Sequence, residues 1–171
     1  MKIVINDANI LIDLIHLEII DIIFQLKYLE LKITDFVLNE LEEEQKQELS
    51  AYIANGSLLV IESEENDLLE IANLFSSSNG LSFEDCSVWY YAKKHRGIIL
   101  TGDGRLRKQT SKDGIEVRGI LYIFDQLLLG ELMSFELAIL KLNQLYRIND
   151  RLPIAAKEER LLCWGQSEHF A

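Results

Sequence analysis

Four acidic residues stand where nothing structural calls for a carboxylate: Asp7, Glu40, Asp85 and Asp103. Asp7 and Asp103 fall just past apolar runs, KIVIN and GIILT, that read as buried strands. Glu40 follows Phe36 and Val37 at helical spacing. Asp85 shares a helical face with Val88, Trp89 and Ala92. Carboxylates turned toward a core or a cleft are costly unless a cation meets them. Several together would also raise one another's pKa, so they could not all stay ionised unaided. Hard divalent ions, Mg²⁺ or Mn²⁺, take oxygen ligands and relieve both problems. Two such ions about 3.5–4 Å apart form an arrangement that cleaves phosphodiesters.

Each acid also has a structural reading. Asp7, in N-D-A-N, could close an Asx turn or cap a helix. Glu40 precedes Glu42, Glu43 and Glu44, and such a run is usually a solvated face. Ser82-x-x-Asp85 resembles a capping box, and Thr-Gly-Asp-Gly around Asp103 could be only a turn. A cap and a ligand are compatible, because a helix N-terminus tolerates an anion. What favours chemistry is that all four can converge on one sheet edge.

The elements that would do this are legible as alternating strands and helices. Strands are expected at Lys2–Asn6, Lys32–Ile33, Ser57–Ile61, Gly97–Thr101 and Ile115–Val117. Between them, Ile10–Leu31 reads as one broken helix or two short ones. Thr34 or Asp35 caps a helix from Phe36 to Glu44 that could run on to Ala54, where Asn55-Gly56 stops it. Further helices are expected at Glu64–Ser76, with Leu68, Leu69, Ala72 and Phe75 on one side, from Ser82 to Arg96, from Arg105 to Lys112, and at Ile120–Leu129. This order predicts an α/β fold with a largely parallel sheet covered on both faces. Right-handed crossovers then place all strand C-termini on one edge, where ligand sites lie. Residues 134–148 carry a helical stripe of Phe135, Ala138, Ile139, Leu142, Leu145 and Tyr146, read as ordinary packing or as an interface. A last helix is expected at Ile154–Trp164, and Trp164 and His169 read as a short tail.

The chain has 171 residues, 49% apolar and 26% charged, enough for one domain with a real core. No signal-peptide pattern and no membrane-length apolar run is present, and Cys86 and Cys163 read as reduced thiols in a cytoplasmic protein. The net charge of −11 argues against nonspecific nucleic-acid binding, but its distribution does not. Residues 93–118 hold eight of the 17 basic residues against Asp103, Asp113 and Glu116, a local excess of +5 that brackets Asp103.

The ordered set resembles the PIN-domain ribonucleases. The resemblance rests on strand–Asp7-x-Asn9 before an apolar helix, Glu40 in V-L-N-E-L, Asp85 in L-S-F-E-D, and Thr101-Gly102-Asp103 after an apolar strand. It implies a three-layer α/β/α sandwich with a central mostly parallel sheet over residues 1–130; beyond the resemblance, residues 131–171 are expected to form a C-terminal helical extension packed on the same domain. The resemblance also implies a pocket in which Asp7, Glu40, Asp85 and Asp103 bind one or two Mg²⁺ or Mn²⁺ ions and hydrolyse RNA through an activated water. Thr101 and Asn9 would support the acids, and Arg105, Arg107 and Lys108 would meet the RNA backbone. Many small bacterial members are VapC-like toxins held by a small antitoxin, so expected partners are RNA, an antitoxin and a second copy of the chain, with no membrane. The chain departs from the family pattern at polar Asn6 and in continuing past Gly130. Two other classes remain: a receiver-like Mg²⁺-binding phosphoacceptor domain, which needs an Asp where Glu62-Ser63 stands, and a catalytically silent PIN-like binding module.

Overall fold

The computed structural model describes residues 2–167. Its elements are β1 (Lys2–Asn6), α1 (Ala8–His16), α2 (Ile20–Ile23), β2 (Leu29–Thr34), α3 (Asp35–Glu40), α4 (Glu43–Ala54), β3 (Leu58–Ile61), α5 (Glu65–Ser77), α6 (Phe83–His95), β4 (Ile98–Leu100), α7 (Gly104–Thr110), β5 (Val117–Arg118), α8 (Ile120–Leu129), α9 (Phe135–Ile148) and α10 (Ile154–Ser167). His169 lies outside the described residues.

The strands form one sheet in the order β3-β2-β1-β4-β5, with every pair parallel. Parallel neighbours need a crossover, and right-handed crossovers running in opposite directions along a sheet put their helices on opposite faces. From β1 the chain moves outward through β2 to β3, then returns through α5 and α6 to β4 on the other side. Helix α6 accordingly packs over β1, β2 and β4, with α5 on it, while α1 packs on α2 and α4, and α8 packs on α2 and α9. This is a three-layer α/β/α fold. The direction of travel reverses between β1 and β4, and ligands in such sheets bind at the strand C-termini at that reversal. Asp7 follows β1 and Asp103 follows β4, so these two acids flank it.

The core joins the sheet interior to both helical layers, with Ile5, Ile33, Ile99 and Leu100 meeting residues such as Leu14, Val88 and Phe124. The central strands are buried on both faces, which is why they are apolar runs rather than alternating patterns.

Four readings are corrected. Strand β2 is six residues long and takes Leu29–Leu31 from the expected helix. The helix expected through Phe36–Ala54 is two helices: Leu41 turns into the core at extended backbone angles, and Glu42 opens α4 with a reciprocal capping box to Gln45. Strand β5 begins at Val117 rather than Ile115. Trp164 is not a loose tail residue: it is only 6% exposed and stacks on Phe124 with ring centroids 6.1 Å apart. The stripe on α9 faces the protein's own core through Ala138, Leu142 and Leu145. In contrast, the apolar side of α5 points outward, with Leu69 62% exposed, while Asp67 and Ile71 are its buried residues.

Candidate active site

Asp7 is 7% exposed at the end of β1. The parallel pairing of β1 with β4 brings Asn6 opposite Leu100, and so sets Asp7 beside Thr101. The Thr101 hydroxyl and the Asn9 amide both donate to Asp7 Oδ2. Thr101 Oγ1 also accepts from the Asp103 backbone N–H at 2.8 Å, and Asn9 Oδ1 accepts from the Gly102 N–H at 2.9 Å. Thr101 and Asn9 therefore tie the two strand ends into one unit around the Asp7 carboxylate.

Burial pushes the Asp7 carboxyl up to about 6, against the lowering effect of the Thr101 hydroxyl. The negative charges of Asp85 and Glu40 raise it further. Asp85 sits half-buried in the first turn of α6, in a reciprocal capping box: its backbone N–H donates to Ser82 Oγ at 3.0 Å, and its Oδ2 accepts from the Ser82 N–H at 2.9 Å. Its carboxyl is raised by burial, and Asp103 contributes in the same direction. Glu40 ends α3 at the exposed rim. Partial desolvation there, with Glu84 and Asp85 nearby, holds its carboxyl above the usual range. Asp103 caps α7, its Oδ1 accepting from the Arg105 and Leu106 N–H groups at 2.7 and 2.8 Å. Asp85 thus acts on both Asp7 and Glu40, and Asp103 acts on Asp85.

Nothing in the sequence signals Glu84, and Asn6 stands out there only as a departure from the family pattern. Glu84 raises both Glu40 and Asp85, although a residue next to Asp85 on a helix points about 100° away from it. Buried Asn6 donates to the Lys32 carbonyl at 2.9 Å, and its Oδ1 is the one buried side-chain N or O without a partner among the described residues.

The all-oxygen, anionic donor set suits a hard divalent cation, and a cation would favour ionisation of the Asp7, Glu40 and Asp85 carboxyls, which are raised first by burial and then by neighbouring negative charge. Among the described residues, however, no three His, Cys, Asp or Glu side chains form a ready-made cage. Ions of the Mg²⁺ type fit such a set because they keep several waters and need few direct protein ligands.

The basic residues divide. Arg105 and Lys108 line a cleft of about 420 Å³ beside Asp103, together with Lys112, Gln109, Ser77 and Asn79. Arg105 donates to the Gly80 carbonyl at 3.3 Å. Arg107 lies on the other side, where its guanidinium donates to the Val117 and Thr101 carbonyls at 3.0 and 3.2 Å and braces β4 against β5.

A family model described as DUF3368: PIN domain matches residues 3–160. The matched stretch continues past Gly130 through α9 and into α10. Among curated proteins, none matches the chain.

Proposed function

Because the chain belongs to the DUF3368 PIN-domain family, whose relatives are usually metal-dependent nucleases, we propose that it is an endoribonuclease that hydrolyses RNA phosphodiesters with Mg²⁺ or Mn²⁺. The observation that supports this most is Asp7: a buried carboxylate at the sheet's reversal point, pushed up to about 6 with other acids around it. The hydrogen bonds from Thr101 and Asn9 offset only part of the cost of burying this carboxylate, and a cation in the site would offset the rest.

Asp7, Glu40, Asp85 and Asp103 would hold the ion, directly or through water. A bound divalent ion lowers the pKa of its water and neutralises charge on a scissile phosphate. Thr101 and Asn9 fix the orientation of Asp7, since both donate to its Oδ2. The Ser82 capping box fixes Asp85 in the same way. Arg105 and Lys108 would hold the RNA backbone in their shared cleft, where the Lys108 and Lys112 ammonium groups make no hydrogen bond or ion pair among the described residues. No described helix is long and apolar enough to cross a membrane.

The test is cleavage of a generic single-stranded RNA. Activity is expected to vanish in EDTA and to return on adding excess Mn²⁺ or Mg²⁺. Cleavage that persists after exhaustive chelation would sink the metal-dependent reading. The finer reading, a toxin held by a small antitoxin, rests on the resemblance to the toxin members of the PIN-domain family. A short reading frame for a basic or DNA-binding protein overlapping the start of this one, whose product binds the purified protein and blocks cleavage, would establish it. A product that leaves cleavage unchanged would count against it.

A further inference from the structure

Beside the carboxylates lies another cleft, of about 440 Å³, between the ends of β4 and β5 and the segment from α8 to α10. That volume is in the range of small-ligand sites. Thr101 and Gly102 form part of its wall. It therefore adjoins the acidic site directly, because the Thr101 hydroxyl donates to Asp7.

Arg107, Arg118, Arg151 and Arg160 line it, against the carboxylates Asp13 and Asp125. Arg160 is matched to Asp125 by paired bonds of 3.1 and 2.6 Å, and Asp13 accepts from Asn149 at 2.9 Å, its carboxyl raised by burial. Arg107 is held by backbone carbonyls, which leave its charge uncompensated. Arg118 pairs with Glu116 at 2.8 Å and lies over the Tyr122 ring, 5.5 Å from its centroid. The Arg151 guanidinium makes no hydrogen bond or ion pair among the described residues. In a protein of net charge −11, a cleft with this excess of arginine selects an anion.

The cleft is not only cationic. Tyr122, Leu152 and Pro153 add an aromatic and apolar wall, which phosphate alone does not require. Guanidinium groups for a phosphate, with a ring and a guanidinium plane for a base, are the means by which proteins hold an unpaired nucleotide. An acidic protein segment would also be drawn to the arginines. The contact with Thr101, and through it with Asp7, favours the nucleotide.

We propose that this cleft holds one unpaired nucleotide of the RNA, flanking the phosphate presented to Asp7, with Arg151 on its backbone and the Tyr122–Arg118 pair against its base. The proposal rests on the nuclease reading. It gives the segment after Gly130 a role in substrate binding, since Arg151, Leu152 and Pro153 belong to the α9–α10 connection.

The test measures binding of a fluorescent short single-stranded RNA in EDTA, where no cleavage is expected, to the parent and to Arg151→Ala and Tyr122→Ala. Each variant is expected to bind about tenfold more weakly while still melting cooperatively, with the midpoint of Arg151→Ala unchanged. In Mg²⁺ or Mn²⁺, each should raise KM while kcat stays within about twofold. An RNA carrying 4-thiouridine should crosslink to peptides spanning 118–125 or 149–160. Equal RNA affinity in parent and variants, or crosslinks confined to the Arg105–Lys108 cleft, overturns the inference even where Asp7→Asn has abolished cleavage. Cleavage that survives Asp7→Asn overturns the catalytic reading instead, and the binding result still decides what this cleft does.

Discussion

Removing the charge of Asp7 is expected to stabilise the protein while ending its chemistry. Its folded value of about 6 lies above the ordinary 3.8. The folded state therefore binds a proton that the unfolded chain releases. That contribution to stability is fully present below about pH 3.8 and is lost as pH rises through about 6. The difference corresponds to roughly 3 kcal/mol at most above pH 7. Asparagine keeps an oxygen for Thr101 and Asn9, so metal-free Asp7→Asn should gain about 1–3 kcal/mol in urea unfolding at pH 7.5. The gain should disappear near pH 3.5, and a loss at pH 7.5 would contradict the account of a strained carboxylate. Thr101→Val removes both the donor to Asp7 and the acceptor for the Asp103 N–H. It should weaken Mn²⁺ binding about 10–100-fold by calorimetry, and unchanged affinity would leave Thr101 no supporting role. Asp7 and Asp103 were legible because each ends an apolar run. The double bonding of Thr101 and Asn9 was not, because it depends on β1 lying beside β4.

The element that holds Asp85 in place is itself latched far from the site. Asp67 on α5 is 4% exposed and accepts from Tyr90 and Tyr91 hydroxyls of α6 at 2.6 and 2.9 Å, and from Lys94. Although its burial opposes ionisation, these donors together hold the Asp67 carboxyl well below its usual range. Its contribution is present above about pH 3.8 and is lost as pH falls toward the depressed value. Asp67→Ala removes the acceptor shared by the half-buried Tyr90 hydroxyl, the buried Tyr91 hydroxyl and Lys94, and should cost about 1–3 kcal/mol in urea unfolding, while the folded variant cleaves RNA at a rate close to the parent's. A cost below the error of the measurement would remove the latch. At this scale the sequence misleads for identifiable reasons. Leu29–Thr34 follows a dense Ile/Leu stretch, and short apolar runs do not separate helix from buried strand by period alone. The glutamates at 42–44 look like a continuing solvated helix, yet Glu42 is the cap at which a new one begins. Trp164 sits in a mostly polar helix, and only the ring of Phe124 shows that it belongs to the core.

For the whole molecule, of net charge −11, the proposed attraction for RNA lies in two basic clefts. Binding to single-stranded RNA should fall steeply with salt, and Arg105→Ala or Lys108→Ala should each reduce the slope of log K against log salt by about 0.7. Slopes equal to the parent's would exclude those residues from the RNA path. The layered α/β class follows from alternating apolar runs, and the edge carrying the acids follows from right-handed crossovers. The order β3-β2-β1-β4-β5 does not, because parallel partners lie a helix or more apart in the chain and no local signal pairs them. That order is what places Asp7 next to Thr101 and Asp103. On the proposed reading, these carboxylates work as one metal-dependent centre. The most direct test of that reading is the rate of single-stranded RNA cleavage in Mn²⁺ by the parent, Asp7→Asn and Asp85→Asn, with folding of each checked by its melting curve. Folded variants that have lost at least about 100-fold in rate are the predicted result. Cleavage by both at the parent's rate would contradict it.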